Sequence, residues 1–188
     1  GRPARGPARY GQRRHFAVRP WTDRVEVSWV DDAEAYVTPV GTDEVGVAVL
    51  SRRGGTYEDW LGRFPHLRDR LSGAGATSKV RGAGPLRQTS TSRVAGRALL
   101  VGDAAGYVDA ITGEGMAVGF ASAAALVDCV LRDRPADYET AWRRATLRPR
   151  LITHALLAAT QHRPLRRAMV PAAQALPGVF GGAVNLLA

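Results

Sequence analysis

The chain is poor in cysteine, lysine, acidic residues and aromatics. One cysteine, Cys129, in 188 residues excludes a disulfide framework and any cysteine-based zinc site. Lys79 is the only lysine, so the other 25 of the 26 basic residues are arginine. Only 17 acidic residues oppose them, and the formal net charge is +9. Such an excess suits a nucleic-acid or anionic partner. The arginines are spread along the whole length, however, with no base-reading motif and no aromatic platform, so nucleic acid is not expected. No run of 18 apolar residues is free of charge, which argues against a spanning helix. Residues 1–16 are basic without the apolar block of a signal peptide. A cytoplasmic protein is expected, and the opening Gly in place of Met fits a processed chain or a piece of a longer one.

What is present is a globular composition, 45% hydrophobic and 23% charged, in a length that suits one domain or slightly more. Strands are expected at 13–18, 24–30, 34–40 and 44–50. In the second of these Val25, Val27 and Trp29 alternate with Glu26 and Ser28, the period of a half-buried strand. Gly41-Thr42-Asp43 is a hairpin link between the last two, and the four segments together read as an antiparallel sheet. Trp60, Leu61, Phe64, Leu67 and Leu71 then recur at helical spacing over 57–71. Thr56 is the expected N-cap, and Pro65 kinks or splits the helix. A further strand is expected around 77–81.

Residues 97–101 form a short apolar run that reads as a buried strand. The segment 102–115 is a loop punctuated by glycine, and 115–131 is a helix of small residues. Residues 136–188 read as helical, with breaks at Arg163-Pro164, Pro171 and Pro177. The expected organisation is a sheet with one helix over 1–90, a strand–loop–helix over 91–135 and helices over 136–188, an α+β fold.

The chemistry concentrates in Ala98–Met116. A strand delivers Asp103 at its carboxyl end, the place where open α/β sheets bind ligands. Ala and Gly after it leave room for a ligand against the backbone. Thr112-Gly113-Glu114-Gly115 then opens a helix whose free N–H groups and dipole favour negative charge. One carboxylate to accept hydroxyl hydrogen bonds and one helix N-terminus to hold an anionic edge suit a sugar-alcohol chain attached to an electron-rich ring.

The segment GDAAGYVDAITGEGM resembles the second FAD-binding motif of the flavoprotein monooxygenase and geranylgeranyl reductase superfamily, approximately GDAAGxxxPxxGEG(I/M). Ala110 stands where the family often has Pro, and Gly106 where the hydroxylase branch commonly has His. The resemblance implies that Asp103 binds the ribityl hydroxyls of FAD and that the backbone from Gly113 to Met116 lies along the flavin pyrimidine edge. The implied cofactor-binding set is Gly102, Asp103, Ala104, Ala105, Gly106, Gly113, Glu114, Gly115 and Met116. No catalytic residue is assigned. The GxGxxG half that binds the ADP part of FAD is absent, so the chain resembles the C-terminal portion of a family member, and the missing N-terminal half is an implied partner.

The resemblance implies an FAD-dependent oxidoreductase. The leading expectation is an NAD(P)H-dependent monooxygenase acting on an apolar aromatic, polyketide or isoprenoid substrate. The alternatives are a geranylgeranyl reductase-like enzyme that saturates isoprenoid double bonds and, from another class, a non-catalytic fragment or a basic nucleic-acid-binding module. Glu114 is expected to serve the helix start, by dipole or hydrogen bond, rather than as an acid catalyst.

His15 reads as structural or surface, with active-site proximity as the alternative. His66, His154 and His162 have no partner at metal-ligand spacing, and no metal is expected. Cys129 reads as a buried hydrophobe. Phe16, Trp21, Trp29 and Tyr36 read as core first and as a substrate-pocket wall second. The pairs Arg13-Arg14, Arg143-Arg144 and Arg166-Arg167 read as solvated faces. The apolar tail 169–188 is expected to dock on the missing half, with a peripheral membrane contact as the alternative.

Overall fold

The alternating segments pair into a sheet where their period predicts it, with ends shifted by a few residues. The computed structural model describes residues 2, 3, 8–176, 178 and 182. It divides into two units, Arg5–Leu86 and a second made of Gly1–Ala4 with Arg87–Ala188.

A two-residue strand, β1 (Arg2–Pro3), belongs to the second unit. The first unit holds β2 (Tyr10–Phe16), β3 (Glu26–Trp29), β4 (Ala33–Pro39), β5 (Val45–Ser51), helices α1 (Tyr57–Leu61) and α2 (Pro65–Arg70), and β6 (Arg81–Ala83). The strands form one antiparallel sheet in the order β3-β4-β5-β2-β6. Val45 pairs with Phe16 on one side and Pro39 on the other, and Ser51 with Tyr10 and Ala33. Because successive side chains alternate, Val45, Val47 and Val49 share one face. They pack there with Ala35 and Val37 and with Tyr57, Trp60, Phe64 and Leu67 from the helices.

The helix expected over 57–71 is two short ones. Pro65 lacks an N–H and would clash with the preceding turn, so it starts α2 rather than continuing α1. Thr56 caps α1 as expected. The Asp59 N–H donates to Thr56 Oγ1 at 3.1 Å and the Thr56 N–H to Asp59 Oδ2 at 3.4 Å, the reciprocal capping box. The strand expected at 77–81 lies later, at β6, whereas Ala76 makes only a single bridge to Phe16.

In the second unit follow β7 (Gln88–Thr89), β8 (Val94–Ala95), β9 (Ala98–Leu99), a 3₁₀ turn (Gly102–Ala104), β10 (Gly106–Tyr107), α3 (Gly115–Leu131), α4 (Tyr138–Gln161) and α5 (Arg163–Ala175). β7 lies between β1 and β10. The segments expected as separate parts, 91–135 and 136–188, share this unit. Its core is Ala105, Cys129, Tyr138 and Trp142, so Cys129 is the buried hydrophobe expected.

Three expectations need correction. The buried strand at 97–101 is the two-residue β9, which pairs only with β8 among the described residues; Ala98 is exposed and Leu99 half-buried. Among the described residues no parallel neighbour is there to bury it. Pro171 does not end α5, which runs through it to Ala175; Pro171 is exposed, so water can satisfy the carbonyl that loses its partner. The break expected at Arg163-Pro164 falls at His162, leaving Pro164 in the first turn of α5. Pro177 lies outside the described residues, as does nearly all of the tail beyond residue 176. No helix among the described residues is long and apolar enough to cross a membrane.

Candidate functional site

The motif segment begins with Gly102 at φ +59°, the left-handed region open to glycine at little cost. This residue turns the chain from the extended Val101 into the 3₁₀ turn. Its N–H donates to Ser122 Oγ at 3.1 Å, tying the turn to α3. The backbones of Gly102 and Gly119 are close enough that a Cβ built on either would lie 3.9–4.0 Å from the other's Cα.

The turn leaves Asp103 exposed. No hydrogen bond or ion pair engages its carboxylate among the described residues, so it is free to accept from a ligand. Ala105 is fully buried, and its carbonyl accepts from Arg93 Nε at 3.0 Å. Gly106 pairs with Thr89; a Cβ there would lie 3.5 Å from the Trp142 ring. Ala104 is exposed.

Asp109 shapes the loop by accepting the Ile111 N–H at 3.1 Å. Gly113 has φ +71° and open space where a Cβ would stand. α3 then starts without a side-chain cap and without an acidic residue in its first turn. The first-turn N–H groups of Gly115, Met116 and Ala117 thus receive no side-chain cap. Gly113, Gly115 and Met116 are exposed, Met116 by 77%.

Asp103, Gly106, Glu114 and Gly115 line one small cavity of about 30 Å³, closed by Thr112, Thr153 and Arg150 among others. Water fits there and an organic ring does not. Ala104, Ala105, Gly113 and Met116 are not part of its wall.

Of the two helix-start roles expected for Glu114, dipole or hydrogen bond, the hydrogen bond is not made. The residue stands at the N-cap position at φ −88° and ψ 8°, and its side chain makes no cap hydrogen bond. A side-chain cap needs extended backbone at that position. Both carboxylate oxygens turn inward and are buried without a hydrogen-bond partner. Burial raises the pKa of this carboxyl.

Behind the loop, Arg93 is almost fully buried and lies 3.9 Å from the centre of the Trp142 ring. It pairs with Glu139 at 3.0 Å, and the Tyr138 hydroxyl donates to the Leu100 carbonyl at 2.9 Å. None of these residues was singled out from sequence for the site. The available signal was Tyr138, Glu139, Trp142 and Arg143 at spacings of three and four, one side of a helix. In the first unit, Phe16 is core as expected and Trp21 packs beside it. His15 contacts Arg13 at 3.3 Å, and no group of His, Cys, Asp and Glu suited to a metal occurs among the described residues.

No protein-family model and no curated protein sequence matches the chain. Solved structures do. The flavin-dependent brominase Bmp2 superposes with a TM-score of 0.75 at 15% identity, over 96% of this chain and 50% of that one. CndH, the myxobacterial chondrochloren halogenase, an FAD-dependent enzyme, gives 0.67 at 17%, over 95% and 49%. PqsL, a probable FAD-dependent monooxygenase from Pseudomonas aeruginosa, gives 0.57 at 23%, over 86% and 51%. The chain has the fold of part of an FAD-dependent oxidoreductase. It spans about half the length of these flavoenzymes, and the likeness, at such identities, is one of fold. The α+β architecture inferred from the sequence is the one these flavoenzymes share.

Proposed function

We propose that the chain is the portion of an FAD-dependent oxidoreductase that holds the ribityl chain and pyrimidine edge of the flavin. The observation that carries this reading is the pairing of an exposed carboxylate without a partner, Asp103, with the uncapped start of α3, inside a flavoenzyme fold. The residues fit the group. Asp103 would accept hydroxyl hydrogen bonds from the ribityl chain. The N–H groups at Gly115 and Met116 would donate to the pyrimidine edge, and the positive end of the α3 dipole favours electron density there. Gly113 and Gly115 leave the backbone bare for close approach. Flavin, when bound, supplies the redox chemistry, while this chain supplies orientation and electrostatics.

The 30 Å³ cavity is far too small for the cofactor, so flavin would rest on the outer surface of the loop and need a second wall. The outward side of α3 fits that need. Phe120, Val127 and Leu131 are 75%, 52% and 81% exposed, and Ala117, Ala121 and Ala124 are exposed too. A stripe this apolar is costly in water. We assign it to the upstream, ADP-binding half of a longer flavoprotein.

Within this reading the reaction is oxidative, of the monooxygenase type, with NAD(P)H as the electron donor and an apolar substrate. Neighbours in fold named as a brominase, a halogenase and a probable monooxygenase support oxidation over double-bond reduction. The test is flavin retention after desalting in a protein extended upstream to include the ADP-binding half. Asp103→Ala is expected to strip most of the flavin absorbance while leaving the circular dichroism intact. Unchanged flavin content in that variant would refute the assignment.

A further inference from the structure

We propose that the pocket on the exposed side of α4 beside Arg93 binds a small organic phosphate. The proposal is independent of the flavin reading and rests on charge and shape around Trp142. The pocket encloses about 420 Å³. Trp142, 1% exposed, forms its floor. Two guanidiniums lie against that one indole, Arg93 at 3.9 Å and Arg150 at 4.8 Å from the ring centre. Arg143, Leu147, Arg150, Leu151 and His154 follow at intervals of four, three, one and three along α4, which places them on one side of the helix.

The charges there are not balanced. Glu139 is engaged by both Arg93, at 3.0 Å, and Arg143, at 3.2 Å. Arg150 has no carboxylate partner among the described residues. Burial first, then repulsion from Arg93, Arg143 and Arg87, lowers the Arg150 pKa. Burial, then Arg87 and Arg150, does the same to His154. Three guanidiniums, Arg93, Arg143 and Arg150, therefore line this pocket, and Glu139 pairs with only the first two. Holding like charges together in a concave, partly desolvated place is unfavourable unless an anion joins them.

The chemistry narrows the ligand. Guanidinium forks match phosphate oxygens two at a time. The excess of positive charge exceeds what a single carboxylate would neutralise, and a phosphate monoester carries close to two negative charges. Leu147 and Leu151, 55% and 60% exposed, give the organic body an apolar wall. A polynucleotide would need a stripe of cations along a surface rather than a closed cluster.

The test uses the 188-residue chain and three probes, phenyl phosphate, inorganic phosphate and sodium chloride, at matched ionic strength by titration calorimetry. Saturable binding is expected for phenyl phosphate, weaker binding for inorganic phosphate, and none for chloride. Arg150→Gln is expected to weaken phenyl phosphate binding about tenfold or more. Arg150→Lys, which keeps the charge and loses the fork, is expected to fall between. Arg132→Gln, at the far end of α3, should bind as the parent does. Arg150→Gln leaves Arg93 stacked on Trp142, and an unchanged circular dichroism spectrum of the variant separates lost binding from lost folding. Equal responses to all three probes, or phenyl phosphate binding untouched by Arg150→Gln, would overturn the proposal.

Discussion

Gly102 and Gly119 approach each other backbone to backbone, yet replacing them by alanine should move stability in opposite directions. Space is not the constraint, since an added Cβ lies 3.9 Å from the facing Cα in one case and 4.0 Å in the other, ordinary van der Waals contact. Backbone conformation is the constraint. Gly102 sits at φ +59°, where an L side chain costs about 1–2 kcal/mol. Part of that is offset because alanine also restricts the unfolded chain, by about 0.4–1 kcal/mol. Gly102→Ala should therefore destabilise by about 1 kcal/mol. Gly119 lies inside α3, where replacing glycine by alanine gains about 0.5–1 kcal/mol. The two variants should differ by about 2 kcal/mol across one contact. Urea unfolding followed by helical circular dichroism reads the second unit, which holds α3, α4 and α5, and the midpoint should shift without a change in slope. A comparable loss for both variants would refute the reasoning, because it would mean that crowding at the contact decides.

Thr56→Ala removes the capping box of α1 and should cost about 1 kcal/mol, read as a lower urea midpoint; no change would mean that Asp59 alone holds the turn. The hydrogen bond from Arg53 to Asp32, helped by the charges of Arg63 and Arg53 and opposed by burial, holds the Asp32 carboxyl below its ordinary range. This stabilisation is present above the unfolded pKa and is lost as pH falls through the lower folded one, so Asp32→Asn should flatten melting temperature against pH below about pH 4; an unchanged slope would contradict it. Glu114 has the opposite sign. Its folded pKa is raised, so its charging destabilises as pH rises past the unfolded value, and Glu114→Gln should gain at most about 1 kcal/mol near pH 7 and nothing near pH 3, a small figure because the loop lies at the surface. Equal melting temperatures at pH 7 would show the carboxylate to be solvated.

The β4–β5 hairpin was legible because alternation and a short Gly-containing link agree, and both signals are local. α3 was legible to the residue, 115–131, because a glycine-rich start and an uninterrupted small-residue run leave no competing period. The strand expected at 97–101 differs from the observed one for a physical reason. A run of apolar residues reports that a segment suits burial; it does not report which neighbours are there to bury it. In this chain β9 pairs only with β8 among the described residues. The helix continues through Pro171 because a proline excludes one hydrogen bond, and an exposed position tolerates the loss.

The site divides along the same line. Gly102, Gly106 and Gly113 enter through the motif's resemblance to a flavoprotein pattern, and each meets a demand of the backbone at its own position, since all three have positive φ. Electrostatic roles could not be recognised that way. Glu114 reads as a helix-start residue because acids are common there, but the cap requires extended backbone, and this residue has ψ 8°. Its carboxyl turns instead into a cavity whose wall includes Arg150 and Thr153, more than thirty positions further along the chain. Arg93 is the converse case. No sequence feature singles it out in its loop of serines and threonines, and Glu139 and Trp142 make it a buried residue. The motif glycines thus mark backbone conformation, whereas the charged groups packed behind them, Arg93 with Glu139 and Arg150, come from a loop and a helix outside the motif.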